Sequence, residues 1–422
     1  MTVSAIALAL FMLRLEGVVS MQWAEGVALF SVDQPEGART LLSTIAGSMI
    51  GVAGVTFSIT IAAVSFTSGQ FGPRIVTNFM EDRGNQITLG TFIATFVYCL
   101  VLLRTVRSVE EGSETVAFVP HIGILGALVF AMASLGVLIY FIHHVPESMH
   151  ISNVIASLGT KLHRQIDTLF PEDVGESKDD VQTEAFAQRA QAIEAKSYPV
   201  HAEHTGYVQH LDLKTVMALA TKHEWVIRLR YHPGDFVSAQ KPLLHVASPL
   251  PLSDETKNEL RLVYALGPHR THEQDVLAIV DVLVEMAARA LSPGVNDPFT
   301  AMNCLDWLGS ALLRVAQVPL PDPYRVDDEG ALRLIVDELT FATFVEAAFQ
   351  QLRPYVAADV NAALHALKVM EDVGVDLPEA SMRTLMAEQV RTLVAGSEAA
   401  LASADAQLVS YKGQRVLRAL AI

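Results

Sequence analysis

Thirty-three consecutive residues, Leu41 to Pro73, carry no charge. Nothing else in the chain limits its fold so strongly. A helix needs only about 20 apolar residues to cross the hydrocarbon core of a bilayer. In lipid, every backbone N–H and C=O must be satisfied within the segment itself, so such a run has to be helical. Two more uncharged runs follow, the 17 residues Ile87–Leu103 and the 21 residues Ile122–Ile142. Thr2–Leu13 is apolar over only 12 residues. It has the length of a signal-peptide core but no basic region before it and no small-residue cleavage site after it. We read it as the tail of a first transmembrane helix whose beginning is missing, the alternative being a helix that dips in without crossing.

The rest of the chain is ordinary globular sequence. Residues 1–146 hold six Arg, no Lys and nine acidic residues, a balance of -3, so the remainder carries -13 of the total -16. An acidic soluble part does not suit a nucleic-acid phosphate backbone or anionic lipid headgroups. Without a secretion signal it is expected to stay in the cytoplasm, which leaves Arg14–Thr40 outside. Cys99 and Cys304 are far apart and have no metal-ligand spacing, so neither a disulfide framework nor a zinc site is expected. No cofactor or metal is implied.

Within the longest run, Gly47, Gly51, Gly54, Ser58, Ala62, Ser65 and Gly69 recur in steps of four or three, which keeps them on one helical face. Small faces let helix backbones approach closely in lipid. The same face can line a narrow path, with Thr56, Thr60 and Thr67 adding hydroxyls nearby. No ionisable residue lies inside the three long runs, which argues against a pump or proton relay. Between the first and second runs, "PRIVTNFMEDRGN" predicts a short amphipathic elbow at the membrane surface.

The stretch from "GARTLLSTIAGSMIGVAGVTFSITIAAVSFTSGQFGPR" through "GNQITLGTFIATFVYCLVLLRTVR", with the later "ALSPGVNDPFTAMNCLD", resembles the bacterial predicted-membrane-protein family called domain of unknown function 2254. The resemblance covers nearly the whole chain. It implies an inner-membrane protein with a cytoplasmic C-terminal region, and it implies no activity and no catalytic residues. The chain departs from the family at its N-terminus, where members usually have a complete first helix.

Pro171–Lys196 reads as a linker, "PEDVGESKDD", followed by a helix, "VQTEAFAQRAQAIEAK". In residues 198–248, "YPVHA", "GYVQHL", "WVIRLRY" and "KPLLHVA" read as strands and "LKTVMALATK" as a helix. "HPGDFV" supplies a turn, and the pattern predicts a small barrel-sandwich module of the biotinyl/lipoyl type without its carrier lysine. From Ser253 the chain is expected to be helical, with later helices at Ala331–Tyr355, at Asp359–Val373 and from Glu379 onward. In "SPGVNDP", Asp297 followed by Pro298 is a strong helix start and Gly294 lets the chain reverse. A candidate cytoplasmic pocket pools His269, His272 and Asp275 with Arg289, Asn296 and Asp297. There is no Walker loop, dinucleotide fingerprint, nucleophile elbow or HExxH motif.

The expected architecture is therefore a four-helix transmembrane bundle, its first helix cut short, joined to an α+β soluble domain. Residues 1–146 span the membrane at about 2–13, 41–66, 87–103 and 122–142. Residues 147–196 form a linker and helix, 197–250 the barrel-like module and 251–422 a helical domain. The expected partners are the lipid bilayer and further copies of the chain. The leading functional expectation is a homo-oligomeric, pore-like protein with a regulatory soluble domain. The alternative is a membrane-anchored sensor or scaffold that binds a ligand or partner near the "SPGVNDP" corner.

Overall fold

A computed structural model describes residues 1–16, 34–72, 83–107, 118–148, 150–169, 186, 197–318, 323–337 and 339–420. The chain divides into two compact units, Met1–Asn153 and Val154–Ile422.

The first unit contains α1 (Thr2–Glu16), α2 (Pro35–Phe71), α3 (Arg83–Leu103) and α4 (His121–Ser148). Pro35 sits in the first turn of α2, where its missing N–H costs nothing, and Glu36 faces the positive end of the helix dipole. Gly72, at φ 117°, ends it. Polar contacts fix which helix ends meet. Arg39 of α2 donates to the Val106 carbonyl at 3.0 Å, and the Glu16 carboxylate accepts from the Ile122 amide at 3.1 and 3.2 Å. Arg107 and Phe118 form a backbone bridge between α3 and α4. At the other end, Gly84 of α3 lies against Tyr140 and His144 of α4. Consecutive helices α2, α3 and α4 thus run up, down and up. Where α3 meets α4, Thr95 and Ser134 share a buried hydrogen bond of 3.0 Å, and Tyr98 donates to the Gly123 carbonyl.

Among the described residues, three helices are long and apolar enough to cross a membrane: Pro35–Gly69, Arg83–Leu103 and His121–Glu147. The expected fourth span is not among them. α1 has 15 residues, roughly 22 Å of helix against a hydrocarbon core of about 30 Å. It packs on α3 and α4 through Ala5 and Ala9, both buried. The amphipathic elbow lies outside the described residues, except that Arg83–Asn85 begin α3.

The second unit opens with α5 (Ile151–Leu169), which begins three residues before the boundary between the units. Val154, Ile155, Leu158, Leu162 and Ile166 bury one helical stripe. Next come β1 (Tyr198–His201), β2 (Gly206–Leu211), α6 (Leu213–Lys222), β3 (Val226–Leu229), β4 (Phe236–Val237) and β5 (Pro242–Ala247). β1, β2, β3, β5 and α6 fall on the expected strands and helix, whereas β4 lies in "HPGDFV", read only as a turn. The helix expected before them lies outside the described residues, apart from Phe186.

The barrel does not close. Among the described residues two open sheets form instead, ordered β1-β5-β3-β8-β7 and β4-β2-β6. Three of those strands come from sequence expected to be helical: β6 (Tyr264–Gly267), β7 (Tyr324–Val326) and β8 (Leu332–Val336). β8 runs parallel to β3, Ile227 opposite Leu334. It is buried on both faces, so its apolar residues do not alternate, which is usual for a parallel strand. Such a run does not separate strand from helix by periodicity alone, and the expected helix Ala331–Tyr355 is in fact β8 followed by two short helices, Phe341–Phe349 and Arg353–Ala357. Residues 197–250 are therefore not self-contained, because β2 and β3 are completed by strands from further along the chain.

The remaining helices are α7 (Asp254–Arg261), α8 (Val276–Ala290), α9 (Pro298–Gln317), α10 (Phe341–Phe349), α11 (Arg353–Ala357), α12 (Val360–Asp376), α13 (Ala380–Ala400) and α14 (Ser403–Ala419). α5 is held on α9 by the approach of Gly159 to Trp307 and by an Arg314–Asp167 ion pair of 2.6 Å.

Candidate functional site

A cavity of about 580 Å³ opens in the second unit. Its wall includes the His232–Asp235 turn, the Arg270–Asp275 loop, Arg325 of β7, Asp337 after β8 and Gln165 of α5. Asp275 is the node of this wall and is only 4% exposed. It caps α8, accepting from the Ala278 amide at 3.0 Å. Arg270 grips both its oxygens, Nε to Oδ2 at 2.6 Å and Nη2 to Oδ1 at 3.0 Å, and reaches Asp281 with Nη1 at 2.6 Å. Burial alone would lower the Arg270 pKa. The hydrogen bonds and charges of Asp275 and Asp281 outweigh it and hold the guanidinium charged, with its pKa raised.

The "HPGD" turn closes onto the same carboxylate. Gly234 has φ 99°, and a Cβ there would lie 2.3 Å from Asp275 Oδ2. Only glycine satisfies both the backbone angle and the close approach. Asp235 completes the turn by accepting from the His232 amide at 2.7 Å. Both oxygens of Asp275 are thus already engaged, which makes it a staple. The carboxylates on the wall, Asp235, Glu273, Asp275 and Asp337, outnumber Arg270 and Arg325, so the charged part of a mixed polar and apolar lining has an excess of negative charge.

Of the first predicted triplet, only Asp275 lines this cavity. His269 is exposed and contributes its carbonyl, which accepts from Gln209 Nε2 at 2.8 Å, while His272 is half-buried. Among the described residues no group of three His, Cys, Asp or Glu side chains can hold a metal. Arg270 was missed as a site residue although it stands inside "GPHRTHEQD". Its available signal was its position five residues before the carboxylate that caps the next helix.

The other predicted residues stand at the far end of α8, roughly 22 Å away along its 15 residues. The two triplets are not brought together. Arg289 pairs with Glu285 one helical turn back, at 3.2 Å. Asp297 caps α9, accepting from the Thr300 amide at 3.2 Å and its hydroxyl at 2.6 Å. The chain reverses through Asn296, at φ 51°, and Gly294 does not take a positive φ. Backbone bonds from Asn296 to Ser292 and from Asp297 to Ala290 close the corner. Phe299 projects from it, 76% exposed.

On α2, all seven small residues Gly47, Gly51, Gly54, Ser58, Ala62, Ser65 and Gly69 are exposed. A different stripe, including Ala38, Leu42, Ala46, Ala53, Thr56 and Thr67, is buried within the unit. The threonines do not add hydroxyls to the small face. Thr60 and Thr67 donate to carbonyls one turn back, at 2.9 and 3.0 Å, and Thr56 and Thr67 lie on the buried stripe. Both cysteines are free and buried.

Residues 1–372 match the model of the predicted membrane protein family DUF2254. The chain belongs to this family. The DUF2254 match takes in the small face of α2, the Asp275 node and the "SPGVNDP" corner, and ends within α12. The chain is also similar to the uncharacterized proteins Mb1321c of Mycobacterium bovis and Rv1290c of Mycobacterium tuberculosis. Each is 30% identical over 369 residues, which is 86% of this chain and 69% of the relative. No solved structure matches.

Proposed function

We propose that the chain is one subunit of a homo-oligomeric, pore-like protein of the bacterial inner membrane. The small faces of α2 from several copies meet at or near the symmetry axis. The acidic second unit lies in the cytoplasm and regulates the assembly. One observation carries this reading. The small face of α2 is exposed along its whole length, and a Cβ built at Gly47, Gly51, Gly54 or Gly69 meets no atom within 4 Å. Small residues are favoured in lipid where backbones approach each other. Among the described residues, this chain's own helices occupy a different stripe, which leaves the small face for a backbone from a second copy. The charge-free spans fit a passive path better than a coupled pump.

The test is oligomeric state in mild detergent by native mass spectrometry, together with ion and small-solute flux in liposomes. A defined oligomer that conducts is expected. A monomer, or an oligomer that passes nothing under any condition, would overturn the reading.

The sensor reading has its own support in the cavity of about 580 Å³, which lies within the usual range for small-molecule sites. A ligand that raises the unfolding temperature of the full chain without altering flux would favour it.

A further inference from the structure

The chain reverses between α8 and α9 at a tip that is almost free of charge. Residues 290–303 hold a single ionisable side chain, Asp297, within the acidic C-terminal part of the sequence. That carboxylate is committed to the Thr300 amide and hydroxyl, and Arg289, just before the tip, pairs with Glu285. What the tip presents is apolar. Val295 is 39% and Phe299 76% exposed, beside the exposed Pro293 and Gly294. The backbone bonds from Asn296 to Ser292 and from Asp297 to Ala290 hold these side chains on a fixed turn. Exposure alone does not single the tip out. Leu262 is 85% exposed, but it follows α7, in which five of eight residues are charged. Exposed apolar residues that are grouped, rather than scattered, mark contact with another apolar surface.

The position of the tip within the second unit says which surface. Gly159 of α5 lies against Trp307 of α9, and Asp167 of α5 against Arg314 of α9. Both numbers rise together, so the two helices advance in the same sense. Val154, the first residue of the unit, stands five residues before Gly159, whereas Phe299 stands eight before Trp307. The tip therefore projects past Val154 by roughly 4–5 Å along the helix pair. It does so at the end where the chain enters the unit. The chain arrives there from α4, which is long and apolar enough to cross a membrane and ends at Ser148, six residues before Val154. At most about 20 Å of chain separates the two residues. The entry end of the unit is thus tethered near the bilayer, whatever angle α5 takes. Acidic surface is repelled by anionic headgroups. The tip has no uncommitted charge of its own to be repelled or desolvated, and desolvating charge is what makes entry into lipid costly.

We propose that the "SPGVNDP" corner is a membrane-contact tip. Phe299 and Val295 enter the interfacial layer of the bilayer beside α4 and hold the entry end of the second unit against lipid. This requires α4 to span the membrane. It depends neither on the oligomer nor on a conducting path.

The experiment uses the full-length protein in phosphatidylcholine nanodiscs, with an environment-sensitive fluorophore on Val295→Cys. Cys99 and Cys304 are buried and should stay unlabelled. The probe is expected to be quenched by lipid spin-labelled near the headgroup, less by lipid labelled at the chain end, and to be shielded from aqueous iodide. The same probe on Leu262→Cys should show the reverse, iodide quenching without lipid quenching. Adding Phe299→Ser to the Val295 reporter should abolish lipid quenching and leave the oligomeric state unchanged in native mass spectrometry. If Phe299→Ser fails to fold, the reporter in the otherwise native chain still decides between lipid and water. Four results would overturn the proposal. Iodide quenching without lipid quenching would put the tip in water. Shielding from both quenchers would mean that a protein surface covers it. Loss of an oligomer on Phe299→Ser would make a second copy the occupant. Lipid quenching that survives Phe299→Ser would remove Phe299 as the anchor.

Discussion

A Cβ added at Gly159 would lie 2.0 Å from the Trp307 ring, one at Gly309 2.4 Å from Val369, and one at Gly413 2.3 Å from Val394. On α2, a Cβ added at Gly47, Gly51, Gly54 or Gly69 meets nothing within 4 Å. The residue type is the same and its surroundings are opposite. At Gly159, Gly309 and Gly413, glycine marks where two helices of one chain have closed to near contact. On α2, glycine keeps open a face that none of the described residues covers. The comparison separates small residues that pack within the chain from small residues available to something outside it. Substitutions should therefore act on folding in the first set and on association in the second.

The largest folding effect is expected where the second unit has committed a buried charge. Arg270→Ala leaves the Asp275 carboxylate, 4% exposed, without its bidentate partner. Breaking a buried pair on one side costs about 3–5 kcal/mol. Denaturant unfolding of the full chain, followed by tryptophan fluorescence, should show a loss of that size. A loss below about 1 kcal/mol would mean that the node is solvated and that the unit is less closed than its glycines indicate.

Gly159→Ala is the direct test of the filled set. The added methyl overlaps the Trp307 indole, which lies in the α5–α9 contact, so either the ring or α5 has to shift. Overpacking of this kind costs about 1–3 kcal/mol. An unchanged unfolding midpoint would show that the approach is looser than 2.0 Å.

Acid should weaken the second unit through Asp327. Burial would raise its pKa. The Arg333 hydrogen bond at 2.6 Å and the Ala331 and Glu329 amides outweigh burial and hold it below the usual carboxylate value. A depressed carboxylate contributes stability that is fully present above its unfolded pKa of about 3.9. That stability is lost as pH falls through the lower folded value. Asp327→Asn should therefore flatten the acid limb of a stability-versus-pH curve measured below about pH 4. An acid limb identical to wild type would remove Asp327 as its source.

The "SPGVNDP" corner lies between the two sets. Asn296 holds φ 51°, where a β-branched residue is strained. Asn296→Val should cost about 1–2 kcal/mol and Asn296→Gly close to nothing, both read from the unfolding midpoint. Equal costs for the two would show that the Asn296 side chain, and not its backbone angle, is what the corner requires.

How much of this was legible in the sequence follows from the range of the forces involved. The three long spans were readable because charge-free length in lipid leaves only a helix. The cap at Asp297 and the turn at Pro233–Gly234 were readable because their reasons are local. β8 was not, since "LRLIV" becomes a strand by pairing with β3, which lies about a hundred residues earlier. The pooled pocket failed for a related reason: proximity in sequence around α8 hid the length of the helix that separates its two halves. Arg270 was within view but indistinct, because its role depends on Asp275 being buried, which only tertiary packing decides. The spacing of the α2 glycines was plain from the first, but spacing gives a face and not what lies opposite it.

The smallest folding effect belongs to that face. Gly51→Leu with Gly54→Leu adds two large side chains where nothing lies within 4 Å, and they would enter lipid in an isolated subunit. Surface substitutions of this kind usually change stability by no more than about 0.5 kcal/mol. The unfolding midpoint of the detergent-dispersed chain should stay near wild type while native mass spectrometry loses the oligomer. The added side chains would hold neighbouring backbones apart, and the attraction between small faces in lipid depends on close contact. Gly51→Cys should cross-link to its counterpart in a second copy under mild oxidation, whereas Cys304, buried in the second unit, should not. A double Leu variant that unfolds as readily as Gly159→Ala would mean that the face is already packed within the chain, and the contrast between the two sets of glycines would collapse. A variant that folds and still assembles would leave the contrast intact and move the subunit contact to another surface of the protein.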